Sequence, residues 1–392
     1  MNNINADMAR AMIAQMSFQR STLSHHLSGQ LVILEGTSDA RNLVVVERLV
    51  GRAVAGSVSC YGPRKSRLSK EEIARMDGEF TSIKMVLGDV NEVVQYGPYV
   101  NVLLGVAAEL KLASPFLQER GRPWFPMTEE QEKVGVVTQG QMIEELLRRV
   151  GREAKTAKVQ AAARRWRKQA WDDFDSAAKY IDACFDVSPS LYVLRMNLGF
   201  WGLLPLAYGS QHFPFQREII KAAFARLVKK LAHPRFDAVA GYMARLDYGR
   251  EKGLFFHAVF FLRGKEGANA IEWAQRIGDI WQQAVPADVV SVTGRLSLAG
   301  RGAWRGCNWL FAEQKWTGGP VVETVNGKKL ADRLMLKQMV LPYVALSSLY
   351  GKVKGKPRER VFFRGTMPKP DEAVSKKGRG QKGAEAPTEK KA

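Results

Sequence analysis

Apolar residues recur along the second half of the chain in two different periods, and each change of period marks an element. Leu191–Leu198 is a compact apolar run and reads as a buried strand. Phe215–Leu231 carries the spacing of an amphipathic helix. Phe236–Tyr248 and Leu254–Leu262 read as two strands joined by a short turn at Gly249–Gly253. Ala268–Val285 returns to a helical period, and glycine-punctuated strands or loops follow through Gly319. Asn326–Leu349 contains another helix, which Pro342 bends or ends. The order strand–helix–strand–strand–helix–strand predicts an α+β fold with a ferredoxin-like core, an antiparallel sheet with helices on one face.

Upstream, Arg152–Cys184 contains no Gly or Pro and is rich in Ala, Lys, Arg and Gln, which predicts one long helix. Its first half is basic, with Trp166, Trp171, Phe174 and Tyr180 set among the charges. The aromatics fit a packed face, and the basic face is either solvated or turned to phosphates. Residues 1–150 read as a mixed, mainly helical region. Val44–Val50 and Val54–Val58 are rich in β-branched residues. Ser69-Lys-Glu-Glu72 has the form of a capping box and opens a short helix over 69–77. Thr128–Gln131 is a further candidate helix start, Gly121–Pro126 reads as a loop, and Gln141–Val150 as helical. From Met367 to Ala392 large apolar residues nearly vanish and Lys, Gly, Glu and Pro dominate, the composition of a disordered basic tail. The implied organisation is 1–150, a basic helical linker over 151–187, a core domain over 188–366, and a tail over 367–392.

Charge narrows the partners. Lys and Arg number 59 against 39 Asp and Glu in 392 residues, for a formal net charge of +20. Such an excess favours a polyanion, nucleic acid before membrane. The cations offered to DNA are Arg164, Arg165 and Lys168 on the long helix, Arg245 on a strand, and Lys352 and Lys354 near the end of the core. Cys60, Cys184 and Cys307 are far apart and form no disulfide framework. Val90–Leu112 is the most apolar window, but Gln95, Pro98, Asn101, Glu109 and Lys111 make it too polar to span a bilayer. Met1–Gln30 shows no signal-peptide pattern. These features predict a soluble, cytoplasmic protein with no membrane partner.

The candidate chemistry lies on the two strands joined at 249–253. They bring one carboxylate, Asp247, and one imidazole, His257, onto neighbouring strands. Asp247 is either a cation ligand or a turn-forming Asp. His257 is either a ligand or a core histidine with a hydrogen-bond partner. Asn197 either supports a site or satisfies a strand end.

Four ordered segments carry a resemblance. They are Leu191-Tyr-Val-Leu-Arg-Met-Asn197, Val239–Gly249 with Gly253–Phe261, Gly302-Ala-Trp-Arg-Gly-Cys-Asn308, and Met339-Val-Leu-Pro-Tyr343 followed by Arg360–Gly365. Together they resemble the filamentous-phage (inovirus)-type replication proteins of phages and prophages, which are similar to HUH rolling-circle initiators. The resemblance covers about residues 185–366 and leaves the N-terminal half aside. It implies a metal-dependent DNA endonuclease and strand transferase acting in a bacterial cytoplasm. In such a site two histidines spaced His-x-His share a strand face and hold Mg²⁺ or Mn²⁺ with a polar neighbour. A tyrosine on a helix then attacks the phosphate. Carried onto this chain, His257, Asp247 and Asn197 are the metal-side residues and Tyr343 the nucleophile, with Tyr350 as a second candidate seven residues on. Tyr343 is otherwise a helix aromatic packed on the sheet. The implied partners are single-stranded or origin-hairpin DNA and host replication proteins. Two positions depart from the pattern. Phe255 stands where the first histidine belongs, and Leu346 stands where a lysine usually assists, a charge that Lys352 and Lys354 are near enough in sequence to replace. Loss of one imidazole leaves either an oxygen-rich cation site or a relic fold that holds DNA without nicking it. A third reading, a ferredoxin-like RNA-binding module, requires Tyr248, Phe256 and Phe260 to be exposed for base stacking.

Overall fold

The computed structural model describes residues 24–25, 31–32, 39–56, 70–88, 90, 92–110, 112, 139–199, 213–249, 253–264, 270–285, 303–306, 324–356 and 359–368. Gly121–Pro126, Thr128–Gln131 and the tail beyond Pro368 lie outside them. The fold is mixed α+β, with antiparallel sheets.

Among the described residues, four helices build the N-terminal region: α1 (Asp39–Ala55), α2 (Lys70–Gly88), α3 (Pro98–Glu109) and α4 (Gln139–Ala154). The β-branched run Val44–Val50 falls inside α1. Valine in a helix costs at most about 0.7 kcal/mol against alanine, whereas burying its side chain gains about 1.5–3 kcal/mol. Leu43, Val46 and Val50 recur at helical spacing on the buried side, so packing outweighs propensity. The helix expected over 69–77 is present from Lys70 and runs on to Gly88, while Ser69 lies outside the described residues. Upstream, a two-residue ladder pairs β1 (Ser24–His25) with β2 (Leu31–Val32).

The single helix expected from Arg152 to Cys184 is two. Helix α4 stops at Ala154, and α5 runs from Ala157 to Val187. The apolar stripe of α4 (Ile143, Leu147, Val150, Ala154) faces α1 and α3, while Ala170, Phe174, Ala177 and Ile181 of α5 face another layer. One straight helix cannot serve both. The Gln160 side chain donates to the Ala154 carbonyl at 2.6 Å and satisfies an acceptor released by the break.

Strand β4 (Ser190–Gly199), α6 (Phe213–Leu231), β5 (Val239–Gly249), β6 (Gly253–Arg263), α7 (Ala270–Ala284) and β7 (Ala303–Gly306) follow in turn. They lie in the sheet order β5-β6-β4-β7, all neighbours antiparallel. Beside β7, the other half of the β4 edge pairs with β8 (Thr324–Asn326), and β10 (Phe362–Arg364) extends the sheet beyond β5. Helix α8 (Leu330–Val344) contains Pro342 in its last turn and gives way to a 3₁₀ turn, Leu346–Leu349. Strand β9 (Gly351–Val353) leaves this sheet and pairs with β3 (Val94–Tyr96).

Helices cover both faces of the large sheet, not one as expected. Leu194, Met196, Leu246, Phe256 and Phe260 pack with Phe224 and Leu227 of α6 and Trp273 and Trp281 of α7. Val193, Met243, Val259 and Phe261 join a second core with Tyr180 and Ile181 of α5 and with Val340 and Leu346. The N-terminal helices share this second core, so apolar packing runs unbroken from α1–α4 to the sheet. The cause lies in β6, whose Leu254–Leu262 run is buried at every position. A strand apolar on both sides needs two covers.

Gly241 marks where α5 meets the sheet. A methyl there would lie 2.6 Å from the Tyr180 hydroxyl and 2.7 Å from the Cys184 sulfur. We expect Gly241→Ala to cost about 1–3 kcal/mol through overpacking. Urea titration of the variant measures this, and an unchanged midpoint would mean that α5 has room to retreat.

Among the described residues no helix is long and apolar enough to cross a membrane.

Candidate functional site

The sequence-predicted residues meet on the α5 face of the sheet. Alternation along β4 places Arg195 and Asn197 on that face beside Val193. On β6 the same face takes Phe255, His257 and Val259, and on β5 it takes Met243, Arg245 and Asp247. Register then forms two rows. Asn197, His257 and Arg245 are directly opposite one another across three strands, and Gly199, Phe255 and Asp247 form the next row.

His257 is 0% exposed. Its Nδ1 lies 2.7 Å from Asn197 Oδ1, and Arg195 Nε donates to its Nε2 at 2.8 Å. A guanidinium nitrogen only donates, so Nε2 is the acceptor and Nδ1 carries the proton to Asn197. The ring is a neutral imidazole with both nitrogens engaged. A metal ligand needs that Nε2 lone pair, and a cation there would also meet the Arg195 charge. Phe255 removes the other imidazole. Asp247 Oδ1 accepts from the Tyr248 backbone N–H at 2.9 Å, the local bond of a residue approaching a turn. Among the described residues no three His, Cys, Asp or Glu side chains gather as a metal site. The residues in these rows therefore do not fit the two-histidine cation site that the resemblance implies.

Arg195 was not among the expected site residues, although the sequence signals it. It is the one charge in an apolar strand, two positions before Asn197 and hence on its face.

The remaining candidates separate into buried and accessible groups. Arg245 is 1% exposed, and its Nη2 donates to the Gly351 carbonyl at 3.0 Å. It ties β5 to β9, so the expected phosphate contact is corrected. Tyr350 is 3% exposed and packs with Leu346 and Val340. It was expected to share a helix face with Tyr343, but α8 ends at Val344, one residue after Tyr343, and the intervening 3₁₀ turn breaks that relation. A nucleophile must reach a strand of DNA, which the Tyr350 surroundings prevent. Arg164, Arg165, Lys168 and Lys354 are exposed. Lys168 pairs with Asp172 at 2.9 Å. Lys352 is half-buried, with Nζ 4.4 Å from the centre of the Trp166 ring. Burial lowers the Lys352 pKa from its ordinary value, helped by the Arg245 charge and opposed by Asp173. Burial likewise raises the Asp173 carboxyl, against the Gln169 hydrogen bond and the Arg245 and Lys352 charges. Phe256 and Phe260 are fully buried under α6 and α7, and Tyr248 packs on that core, so the base-stacking surface of the RNA reading is not present.

No family model, curated protein or solved structure matches the chain.

Proposed function

We propose that this chain is a DNA-binding protein on a replication-initiator-like core in which metal-dependent nicking has been lost. The observation that carries the loss is Arg195 seated on His257 Nε2, beside Phe255, where a cation would have to bind. The succession β4-α6-β5-β6-α7-β7 in the sheet order β5-β6-β4-β7 supports a ferredoxin-like core. The net charge of +20 and the exposed cations of α5 support a polyanionic partner.

The test uses a pool of single-stranded oligonucleotides with Mn²⁺. Retention on a filter should fall steeply with salt, and denaturing gels should show no covalent adduct. Phe255→His alone should stay inactive, because Arg195 still holds the second imidazole. An adduct from the natural chain that disappears in Tyr343→Phe would restore the nicking enzyme. Retention indifferent to salt would remove the DNA reading altogether.

A further inference from the structure

A groove of about 580 Å³ opens between α3, β3, β9 and the first half of α5. Ligand pockets span about 300–1,000 Å³, so the space accommodates a nucleotide unit. Lys158, Arg165 and Lys352 line it with the rings of Tyr96 and Trp166 and the Asn101 amide. Among the described residues that line it, none is Asp or Glu. Two other cations of α5 are paired, Arg167 with Glu47 and Lys168 with Asp172. Among the described residues no carboxylate pairs with Lys158 or Arg165. Lys158 sits in the first turn of α5, where the helix dipole repels a cation and no acidic residue compensates. The groove is thus a concave surface whose described lining includes three cations, two aromatic rings and no carboxylate.

We infer that this groove holds a single-stranded polynucleotide, with phosphates on Lys158, Arg165 and Lys352 and a base on Trp166. The inference rests on the DNA-binding reading above and gives it a site away from the sheet. Lys158 and Arg165 are two helical turns apart, about 10 Å along the axis, a spacing from which two long cationic side chains can reach separate phosphates of one strand. Trp166 is held in place, its indole N–H donating to the Leu349 carbonyl at 2.9 Å. A base on the ring face that Lys352 now covers moves that ammonium toward the neighbouring phosphate, exchanging one cation–π contact for a charge-assisted one.

The experiment measures anisotropy of fluorescein-labelled oligo(dT) against the full chain over a salt series. Lys158→Ala/Arg165→Ala should weaken binding about tenfold or more and flatten the salt slope by about 1.4, at about 0.7 per lost single-strand contact. Lys229→Ala/Lys230→Ala removes the same charge from exposed positions on α6, and it should change both quantities far less. Trp166→Leu should weaken binding and leave the slope unchanged, with a melting curve checking its fold. If the natural chain binds oligo(dT) and the groove variant matches it in affinity and slope, the groove assignment fails while DNA binding stands. The same holds if the α6 control loses as much. Displacement by free dTMP as readily as by oligo(dT), at equal nucleotide concentration, overturns the strand in favour of a mononucleotide. No binding by the natural chain overturns both proposals.

Discussion

Phe256→Ala is expected to destabilise the fold by about 3–5 kcal/mol, the range for deleting a fully buried ring. Phe256 lies at the centre of β6 with no exposed surface. Its ring stacks on Phe224 at 4.2 Å between centroids and meets Phe363 edge-on at 5.5 Å. It therefore joins the hairpin to α6 and to the last strand at once, and none of these elements can close over the gap without leaving its other partners. Phe215 on the same helix provides the control. It is 51% exposed, so Phe215→Ala should stay within about 0.5 kcal/mol of the natural chain. Urea denaturation of the two variants checks both values. Equal losses would show that the α6 face of the sheet is not the packed core described here.

The second large effect concerns the polar chain beneath the opposite face. Asn197→Ala leaves the His257 Nδ1–H buried without its acceptor, at a cost of about 1–3 kcal/mol. Asn197→Asp keeps an acceptor at that place and adds attraction for Arg195, so it should lose far less. The contrast between the two variants, read by the same urea titration, separates loss of a hydrogen bond from loss of volume. A comparable penalty in both would mean that the amide N–H₂ of Asn197, not its oxygen, is the group that matters.

Much of the core was legible because its signals were local. Alternation and apolar runs located β4, β5 and β6, and helical spacing located α6 and α7 to within two or three residues. The features that escaped were set by partners distant in sequence. The break at Lys155–Thr156 has no glycine or proline to announce it, and it follows from two stripes that face different layers. The valines of α1 look strand-forming until three other helices bury them. Helices on both faces were readable in principle, since Leu254–Leu262 lacks the polar alternate positions of a half-covered strand. At the site, the sequence brought Asp247, His257 and Asn197 to one sheet face, and Phe255 signalled a departure. What it did not supply was the identity of His257's second partner. Only the pairing register of β4 with β6 puts Arg195 within reach of that ring.

The pairing of β3 with β9 bears on how the chain assembles during synthesis. Val94–Tyr96 precedes its ladder partner, Gly351–Val353, by about 250 residues of chain. Gly97 reinforces the junction, donating its N–H to the Tyr350 carbonyl at 3.1 Å, with no room for a side chain against Leu349. At about 5–20 residues per second, a ribosome takes on the order of ten seconds or more to deliver β9 after β3 has emerged. Throughout that interval β3 is a nascent edge with open backbone groups. The N-terminal helices can thus condense early, but their junction with the sheet is sealed only once Gly351–Val353 has been made, which places the docking of this short strand among the late steps of folding.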